Sequence, residues 1–161
     1  MKSLKILGVA ASAVVVVALS AGTASADRGF NLVNGWSGLC PGVAGQTGNG
    51  AAVTQWGCTG VNDRIWNMVA TTDNNGNLAY FVRNVHSGKC MGVGSSLSNG
   101  AGAIQWTCNG AVDQKWWYTS GGALRNVYSG KCLGVASSAT PGQQLIQWTC
   151  NGASDQEWWP N

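Results

Sequence analysis

The sequence predicts an all-β domain built from three copies of one repeat. Two copies, Val82–Trp117 and Leu124–Trp159, align without a gap and are identical at 24 of 36 positions. A more diverged copy spans Leu32–Trp66. No copy shows helical periodicity, whereas turn-forming Asn-Gly pairs recur at equivalent places. Four short strands per copy give about twelve strands, and their spacing alone indicates a barrel or a sandwich.

The strands are placed by apolar runs between turn residues, most clearly in the last copy. Its predicted strand segments are, in order, Leu124–Val127, Lys131–Ala136, Leu145–Cys150 and Gln156–Trp159. The turns between them fall at Ser129-Gly130, Pro141-Gly142 and Asn151-Gly152, where glycine supplies the positive φ that such turns need. The linker Asn67–Tyr80 between the first two copies is long and polar at its centre, whereas Tyr118–Ala123 is short.

The six cysteines are predicted to form three disulfides, because cysteines of exported chains usually pair. Six cysteines allow about 15 pairings in general. Every copy, however, has two cysteines with 17 residues between them, so copies that fold alike must each pair internally. The predicted bridges are Cys40–Cys58, Cys90–Cys108 and Cys132–Cys150. A zinc site is not expected, because the chain has one histidine and lacks CxxC pairs.

The first 26 residues are interpreted as a secretory signal peptide. They contain a lysine-bearing start, the apolar run Ile6–Ala21 and the small-residue cleavage motif Ala24-Ser25-Ala26. A membrane anchor would need about 20 uninterrupted apolar residues, and this run is shorter. We therefore predict a secreted, extracellular protein whose single domain spans residues 27–161, with repeats at about 30–68, 81–117 and 123–159.

The charge of the predicted mature chain is close to zero, with seven Lys and Arg residues against six Asp and Glu. The formal charge of +3 includes Lys2 and Lys5 of the signal peptide. A nucleic-acid-binding protein would show a clustered basic surface, which this sequence lacks. No amphipathic helix or block of like charge predicts membrane insertion. Neither class of partner is expected.

One tryptophan stands eight residues after the second cysteine of each copy, at Trp66, Trp116 and Trp158. The chain has nine tryptophans but only two phenylalanines, so tryptophan must supply much of the apolar volume of the core. We predict that these three rings are buried where the copies meet.

The repeat resembles the ricin B-type lectin domain, also called carbohydrate-binding module family 13. Two copies end in Q-x-W, at Gln114–Trp116 and Gln156–Trp158, and both combine S-G-K-C with W-T-C-N-G. The first copy departs from this pattern with Arg64 in place of the glutamine. The resemblance covers the whole predicted mature chain. It implies a β-trefoil of three four-stranded repeats and sugar binding in up to three shallow pockets.

The resemblance also implies site residues, one set per copy. The aromatic residue two positions before the second cysteine would stack on a sugar ring, and the polar residue before Q-x-W would accept hydroxyl hydrogen bonds. Here they are Trp56 with Asp63, Trp106 with Asp113, and Trp148 with Asp155. The alternatives are core packing or lining a hairpin for the tryptophans and a turn-stabilising role for the aspartates.

One expected feature of the family is missing from all three copies. Sugar-binding members usually have C-[LV]-D-V, in which the aspartate binds two sugar hydroxyls, but glycine replaces it at Gly42, Gly92 and Gly134. Since a hydrogen bond to a charged acceptor contributes about 1.5–3 kcal/mol, its loss is expected to weaken a pocket or to change which sugar fits.

Two further sets occupy repeated positions. Gln55, Gln105 and Gln147 adjoin the candidate stacking tryptophans, and strand alternation predicts that they face away from the pocket. Trp36, His86 and Tyr128 share a turn position before the first cysteine, which predicts exposed rings, either as a second stacking wall or in ordinary hairpin packing.

The sequence supports a free-standing, monomeric lectin-like module that binds extracellular glycan or polysaccharide through weak sites. No nucleophile–base pair or pair of adjacent carboxylates is evident, so we expect neither an enzyme nor a cofactor. The alternative is a protein-binding β-trefoil that has lost sugar binding, such as a protease inhibitor acting through a protruding loop at Asn67–Tyr80. A scaffold without a ligand is a third possibility.

Overall fold

Each copy folds into four strands separated by glycine-bearing turns, as the computed structural model shows for residues 29–161. The predicted signal peptide lies outside these residues. Copy 1 contains β1 (Leu32–Asn34), β2 (Cys40–Gly42), β3 (Thr54–Trp56) and β4 (Trp66–Thr72). Copy 2 contains β5 (Leu78–Asn84), β6 (Cys90–Gly92), β7 (Ile104–Trp106) and β8 (Lys115–Tyr118). Copy 3 contains β9 (Leu124–Asn126), β10 (Cys132–Gly134), β11 (Ile146–Trp148) and β12 (Trp158–Pro160).

A one-turn 3₁₀ helix precedes the last strand of every copy. The three helices are Asn62–Arg64, Val112–Gln114 and Ser154–Gln156. Within residues 29–161, no helix is long and apolar enough to cross a membrane.

The first and last strands of the three copies together form a closed barrel. Antiparallel pairing joins β4 to β5, β5 to β8, β8 to β9 and β12 to β1. Single bridges complete the circle, from Phe30 to Trp66 and from Ala123 to Glu157. The second and third strands of each copy form a hairpin, β2–β3, β6–β7 or β10–β11, which we call a cap hairpin. The three cap hairpins are bridged to one another at one end. This threefold arrangement of twelve strands is a β-trefoil, so the predicted fold is confirmed.

The core is centred on the two tryptophans that end the Q-x-W motifs and on the equivalent tryptophan of copy 1. Trp66, Trp116 and Trp158 have no exposed surface, which confirms the predicted burial. Each indole N–H donates to the carbonyl of the residue after the first cysteine of its copy, Pro41, Met91 or Leu133, at 2.9–3.0 Å. The ring therefore fills the core without leaving its polar atom unpaired.

The disulfides join the cysteines within each copy, as predicted. The bridges are Cys40–Cys58, Cys90–Cys108 and Cys132–Cys150, each closing a segment of 18 residues. In the chain-entropy description, a loop of this size contributes about 3 kcal/mol to stability. Each bridge ties the start of a cap hairpin to the segment that follows it.

The segment Asn67–Tyr80 is not the loop expected from its polar centre. β4 and β5 pair over seven residues each, and only the turn between Thr72 and Leu78 is irregular. Asp73 holds that turn, because its Oδ1 accepts the backbone N–H groups of Asn75 and Asn77 at 2.8 and 2.9 Å. Its Oδ2 accepts hydrogen bonds from Nδ2 of Asn77 at 2.9 Å and from Nε1 of Trp117 at 3.2 Å. The sequence interpretation failed because these polar residues stabilise a hairpin turn locally.

Replacing Trp116 with alanine is expected to lower the free energy of unfolding by about 3–5 kcal/mol, because it opens a cavity at the centre of the barrel. Urea denaturation measures the change. Trp159→Ala is the matched control, because Trp159 is 44% exposed, and it should cost far less. Equal losses in the two variants would contradict the assignment of Trp116 to the core.

The pKa of Asp73 lies below its ordinary value, mainly because the side-chain amide of Asn77 donates a hydrogen bond to the carboxylate. Burial raises the pKa and so offsets part of this decrease, whereas the backbone N–H groups of Asn77 and Asn75 and the indole N–H of Trp117 lower the pKa further. A lowered folded-state pKa stabilises the fold above the unfolded-state pKa, and the stabilisation is lost as the pH falls through the folded-state pKa. Asp73→Asn should therefore lower the melting temperature at pH 7, by a margin that shrinks below about pH 4.

Thermal melts followed by circular dichroism between pH 2 and 7 measure this margin. Asn74→Ala, at an exposed position of the same turn, serves as the control and should show a difference from the parent that does not vary with pH. A constant margin for Asp73→Asn across the range would show that its carboxylate does not stabilise the hairpin.

Candidate functional site

Two equivalent cavities open beside the cap hairpins of copies 2 and 3, each of about 300 Å³. In copy 2, Trp106, Asp113 and Ser95 are among the residues that line the cavity. In copy 3, Trp148 and Asp155 hold the same places. The structure therefore brings together the tryptophan and the aspartate that were predicted as partners in these two copies.

The two tryptophan walls are open to solvent. Trp106 is 43% exposed and Trp148 is 46% exposed, which excludes the alternative of core packing for both. The edge of each ring lies against a turn glycine of the preceding copy: a Cβ added at Gly50 or at Gly100 would stand 3.8 Å from Cζ3 of Trp106 or of Trp148. These glycines have φ of +81° and +83°, where other residues are strained. The rings are thus supported at the edge and free to meet a ligand.

The aspartates fix the loop that borders each cavity. Oδ2 of Asp113 accepts the backbone N–H of Ser95 at 3.1 Å, and Oδ2 of Asp155 accepts that of Ser137 at 3.2 Å. Both serines have positive φ, 58° and 51°, which is unfavourable for a residue with a side chain. One carboxylate oxygen therefore has the turn-stabilising role considered above. The other, Oδ1, has no hydrogen-bond partner within residues 29–161.

The glycines that replace the family aspartate leave room for these carboxylates. A Cβ added at Gly92 would stand 3.3 Å from Oδ2 of Asp113, and one at Gly134 would stand 3.6 Å from Oδ2 of Asp155. In copies 2 and 3 a carboxylate thus lies beside the position that the expected aspartate would have used. Asp113 and Asp155, at the polar position before Q-x-W, keep a negative charge in these two cavities.

The glutamine of Q-x-W holds the far wall of the cavity. Buried Gln114 donates from Nε2 to the carbonyl of Thr107 at 3.0 Å and accepts the backbone N–H of Asn109 at 3.2 Å. Gln156 bonds Thr149 and Asn151 in the same way. The side chains of Asn109 and Asn151 line the cavities, a role that the sequence analysis missed. The signal was present, because both copies have this asparagine after the second cysteine.

In copy 1 the equivalent space is filled by Arg64. Its guanidinium lies over the ring of Trp56, 5.7 Å from the centroid, and its Nη1 donates to the carbonyl of Gly57 at 2.7 Å. Its Nε lies 3.8 Å from Oδ1 of Asp63. Arginine thereby supplies the hydrogen bond that glutamine supplies elsewhere, and it also covers the predicted stacking face. Trp56 and Asp63 lie where the sequence predicted, but both face the guanidinium of Arg64.

The glutamines next to the stacking tryptophans point away from the cavities, as predicted. Gln105 is buried and donates to the carbonyls of Gln46 and Gly48 in copy 1. The remaining two bond the preceding copy in the same way, Gln147 through Ser96 and Ser98 and Gln55 through Ser138 and Thr140.

Three buried asparagines tie every pocket to the next copy, and the sequence analysis missed them. Nδ2 of Asn84 donates to the backbone carbonyl of Asp63, Asn126 to that of Asp113 and Asn34 to that of Asp155, at 2.7–3.0 Å. The three asparagines occupy the same position in their repeats, and this recurrence was the signal by which the sequence could have identified them. Their contacts lie between copies, and the spacing of residues along the chain does not give distances between copies.

The fold and the repeated cavities define a β-trefoil that presents a shallow pocket in more than one of its copies. The family described as the ricin-type beta-trefoil lectin domain matches residues 28–158, and the chain belongs to that family. The resemblance seen in the sequence is thus confirmed. No curated protein sequence matches the chain.

Several solved structures are similar. The designed threefold-symmetric protein ThreeFoil shares 31% identity with a TM-score of 0.76, over 83% of this chain and 98% of that one. The exo-β-1,3-galactanase 1,3Gal43A from Clostridium thermocellum shares 29% identity with a TM-score of 0.73, over 81% of this chain and only 29% of the galactanase. The Rhizoctonia solani agglutinin, at 20% identity and a TM-score of 0.69 over 81% of this chain and 92% of its own, shows the shared fold.

Replacing Arg64 with glutamine is expected to open the copy 1 cavity. The glutamine amide can donate to the carbonyl of Gly57, as Gln114 does to that of Thr107, while the face of Trp56 loses its cation. A crystal structure of Arg64→Gln measures the exposed fraction of Trp56, which should approach the 43% of Trp106. A ring that stays covered would show that backbone differences, and not Arg64, close this copy.

Proposed function

We propose that this protein is a secreted, non-catalytic carbohydrate-binding module that binds extracellular glycan or polysaccharide through copies 2 and 3. The observation that carries the proposal is a half-exposed tryptophan and a carboxylate that line the same cavity, found twice in equivalent places. Membership of a lectin family supports sugar as the class of ligand. The signal peptide interpreted from the sequence, together with three disulfides, supports export to an oxidising compartment.

The cavity chemistry suits a pyranose ring. The C–H face of a sugar is apolar and packs on the exposed face of Trp106 or Trp148. The hydroxyls at the ring edge donate to Oδ1 of Asp113 or Asp155, whose other oxygen is already committed to the loop. A hydrogen bond to a charged acceptor contributes about 1.5–3 kcal/mol, so this single carboxylate orients the sugar.

The carboxylates before Q-x-W answer the question raised by the missing family aspartate. Asp113 and Asp155 lie close to the place of that aspartate, and each is fixed by a backbone N–H group. We infer that hydroxyl recognition is kept while its direction is changed, so that the preferred sugar differs from that of members with C-[LV]-D-V. A second aspartate at Gly134 would bring two carboxylates together, which is unfavourable.

Each site is expected to be weak, with a dissociation constant near 1 mM, or about −4 kcal/mol. Two sites on one rigid domain can nevertheless retain a polymer, because the second contact is intramolecular. Monomeric modules would gain adsorption to a polysaccharide or a cell wall in this way without high affinity for a free sugar. Copy 1 would contribute least, since Arg64 occupies its cavity.

Catalysis and cofactors form no part of the proposal. Asp113 is the one carboxylate that lines the copy 2 cavity, and Asp155 is the one that lines that of copy 3. Glycoside hydrolysis requires two carboxyl groups about 5–9.5 Å apart across the bond. A single carboxylate beside an aromatic wall binds a sugar but does not supply both an acid and a base or nucleophile.

Adsorption to a panel of insoluble polysaccharides (xylan, β-1,3-galactan, mannan, chitin and cellulose) tests the proposal. Trp106→Ala or Trp148→Ala should weaken adsorption modestly, and the double variant should nearly abolish it, because avidity fails when both stacking walls are lost. Trp159→Ala is the matched control, since Trp159 is similarly exposed and lies outside both cavities. Melting temperatures verify that each variant is folded.

Two outcomes would overturn the proposal. A folded double variant that adsorbs as well as the parent would show that the cavities are unused. A parent that binds no polysaccharide, and no glycan on a broad array, but inhibits a protease would support the protein-binding alternative, with the β4–β5 hairpin as the candidate contact.

A further inference from the structure

Exposed aromatic rings stand at the turn between the first two strands of every copy. Trp36 is 50% exposed, Tyr128 is 43% exposed and His86 is also exposed. The predicted exposure is therefore confirmed, but hairpin packing within one copy does not describe where these turns lie. Each turn is built against the cavity of the preceding copy.

Asn34 joins the turn of Trp36 to the segment of copy 3 that carries Asp155. Its Oδ1 accepts the backbone N–H of Trp36 at 3.2 Å, while its Nδ2 donates to the backbone carbonyl of Asp155 at 2.9 Å. The intervening Gly35 donates to the carbonyl of Glu157 at 2.9 Å, and an added Cβ there would meet Ser154 and Glu157 at about 3 Å. Trp36 is thus attached directly to the segment that carries the pocket aspartate of another copy.

Copies 2 and 3 repeat this connection. Oδ1 of Asn126 accepts the backbone N–H of Tyr128 at 3.1 Å, and its Nδ2 donates to the carbonyl of Asp113 at 2.7 Å. The turn of Tyr128 in copy 3 is therefore attached to the segment of copy 2 that carries Asp113. The relationship is cyclic, so that each copy attaches the turn of its aromatic ring to the aspartate segment of the copy before it.

The direction of the ring is visible at His86. Its Nε2 lies 3.2 Å from the carbonyl oxygen of Gly45, and the N–H of Gly45 donates to Oδ2 of Asp63. Gly45 is the copy 1 equivalent of Ser95 and Ser137, the loop residues that border the open cavities. The imidazole therefore leans onto the cavity loop. Threefold equivalence places the rings of Tyr128 and Trp36 beside Ser95 and Ser137.

We propose that each open site spans two copies and binds an oligosaccharide of at least two pyranose units. Trp148 and Asp155 hold the unit inside the copy 3 cavity, and Trp36 stacks on the neighbouring unit as the chain leaves past Ser137. Trp106, Asp113 and Tyr128 act in the same way at copy 2. This inference rests on the proposed sugar-binding function and names oligosaccharides, not single sugars, as the ligand class.

The inference gives copy 1 a role although its own cavity is filled. Arg64 closes that cavity, but Trp36 completes the site of copy 3. A half-exposed indole with no burial role in its own copy is well suited to the apolar face of a sugar. The two open sites also differ, since indole extends one and phenol the other.

Single-site backgrounds separate the two contributions. Trp106→Ala leaves copy 3 as the open site, and Trp148→Ala leaves copy 2. Isothermal titration in each background uses oligosaccharides of one to four units from whichever polysaccharide retains the parent protein in the adsorption assay. We expect the dissociation constant to fall as the ligand grows from one unit to two or three units.

Adding Trp36→Ala should weaken binding of the longer oligosaccharides about three- to tenfold in the copy 3 background, with little effect on the single sugar. Tyr128→Ala should be silent there. In the copy 2 background the pattern should reverse, with Tyr128→Ala weakening binding and Trp36→Ala silent. His86→Ala is the matched control for both backgrounds, because it borders the cavity that Arg64 fills.

This reciprocal pattern distinguishes the inference from the proposed function. If the parent binds sugar but Tyr128→Ala weakens copy 3, each ring serves its own copy and the inference is wrong. If Trp36→Ala and Tyr128→Ala change neither background, the sites are confined to their cavities, and the inference is wrong while the function stands. If the parent is retained by no polysaccharide and binds no glycan on a broad array, both are wrong.

Discussion

Hydrogen bonds between copies are the constraint on which the rest of this structure depends. The side-chain N–H groups of buried Asn84 and Gln105 donate to carbonyls of the preceding copy, and the third copy closes the circle onto the first. A buried amide without a partner costs about 1–3 kcal/mol, so one repeat cannot satisfy its own interior. The tryptophan core needs the same closure, because Trp66, Trp116 and Trp158 fill one shared volume. Three copies are therefore a physical requirement of the fold.

The same network determines where a ligand can bind. Its hydrogen bonds end at the loops that follow β2, β6 and β10, where left-handed backbone at Ser95 and Ser137 is kept in place by a carboxylate. A pocket built there has rigid walls and one unused oxygen, which suits a ligand that offers an apolar face and directional hydroxyls.

Symmetry protects the scaffold while leaving each pocket free to change. Arg64 keeps the hydrogen bond that Gln114 makes in copy 2, so copy 1 has closed its cavity without losing the 3₁₀ helix. Gly92, in place of the family aspartate, leaves Asp113 as the one carboxylate that lines the copy 2 cavity. Both changes concern side chains above backbone contacts that the three copies share, which explains how the diverged copy 1 closes its pocket while the scaffold is kept.

The sequence by itself determined the number of copies, the twelve strands, the disulfides and the burial of Trp116 and its equivalents, because repetition and spacing are local properties of a chain. It also named the tryptophan and aspartate that line each open cavity. Only the tertiary structure showed that Arg64 covers Trp56, that Asn67–Tyr80 is paired strand, and that the turn of Trp36 borders the pocket of another copy. The first two facts are local, since Arg64 is close to Trp56 in the chain and Thr72 pairs with nearby Leu78, but they depend on side-chain and turn geometry that a residue pattern does not specify. The third depends on a contact between Asn34 and Asp155, which lie far apart in the chain, and spacing within one repeat contains no information about it.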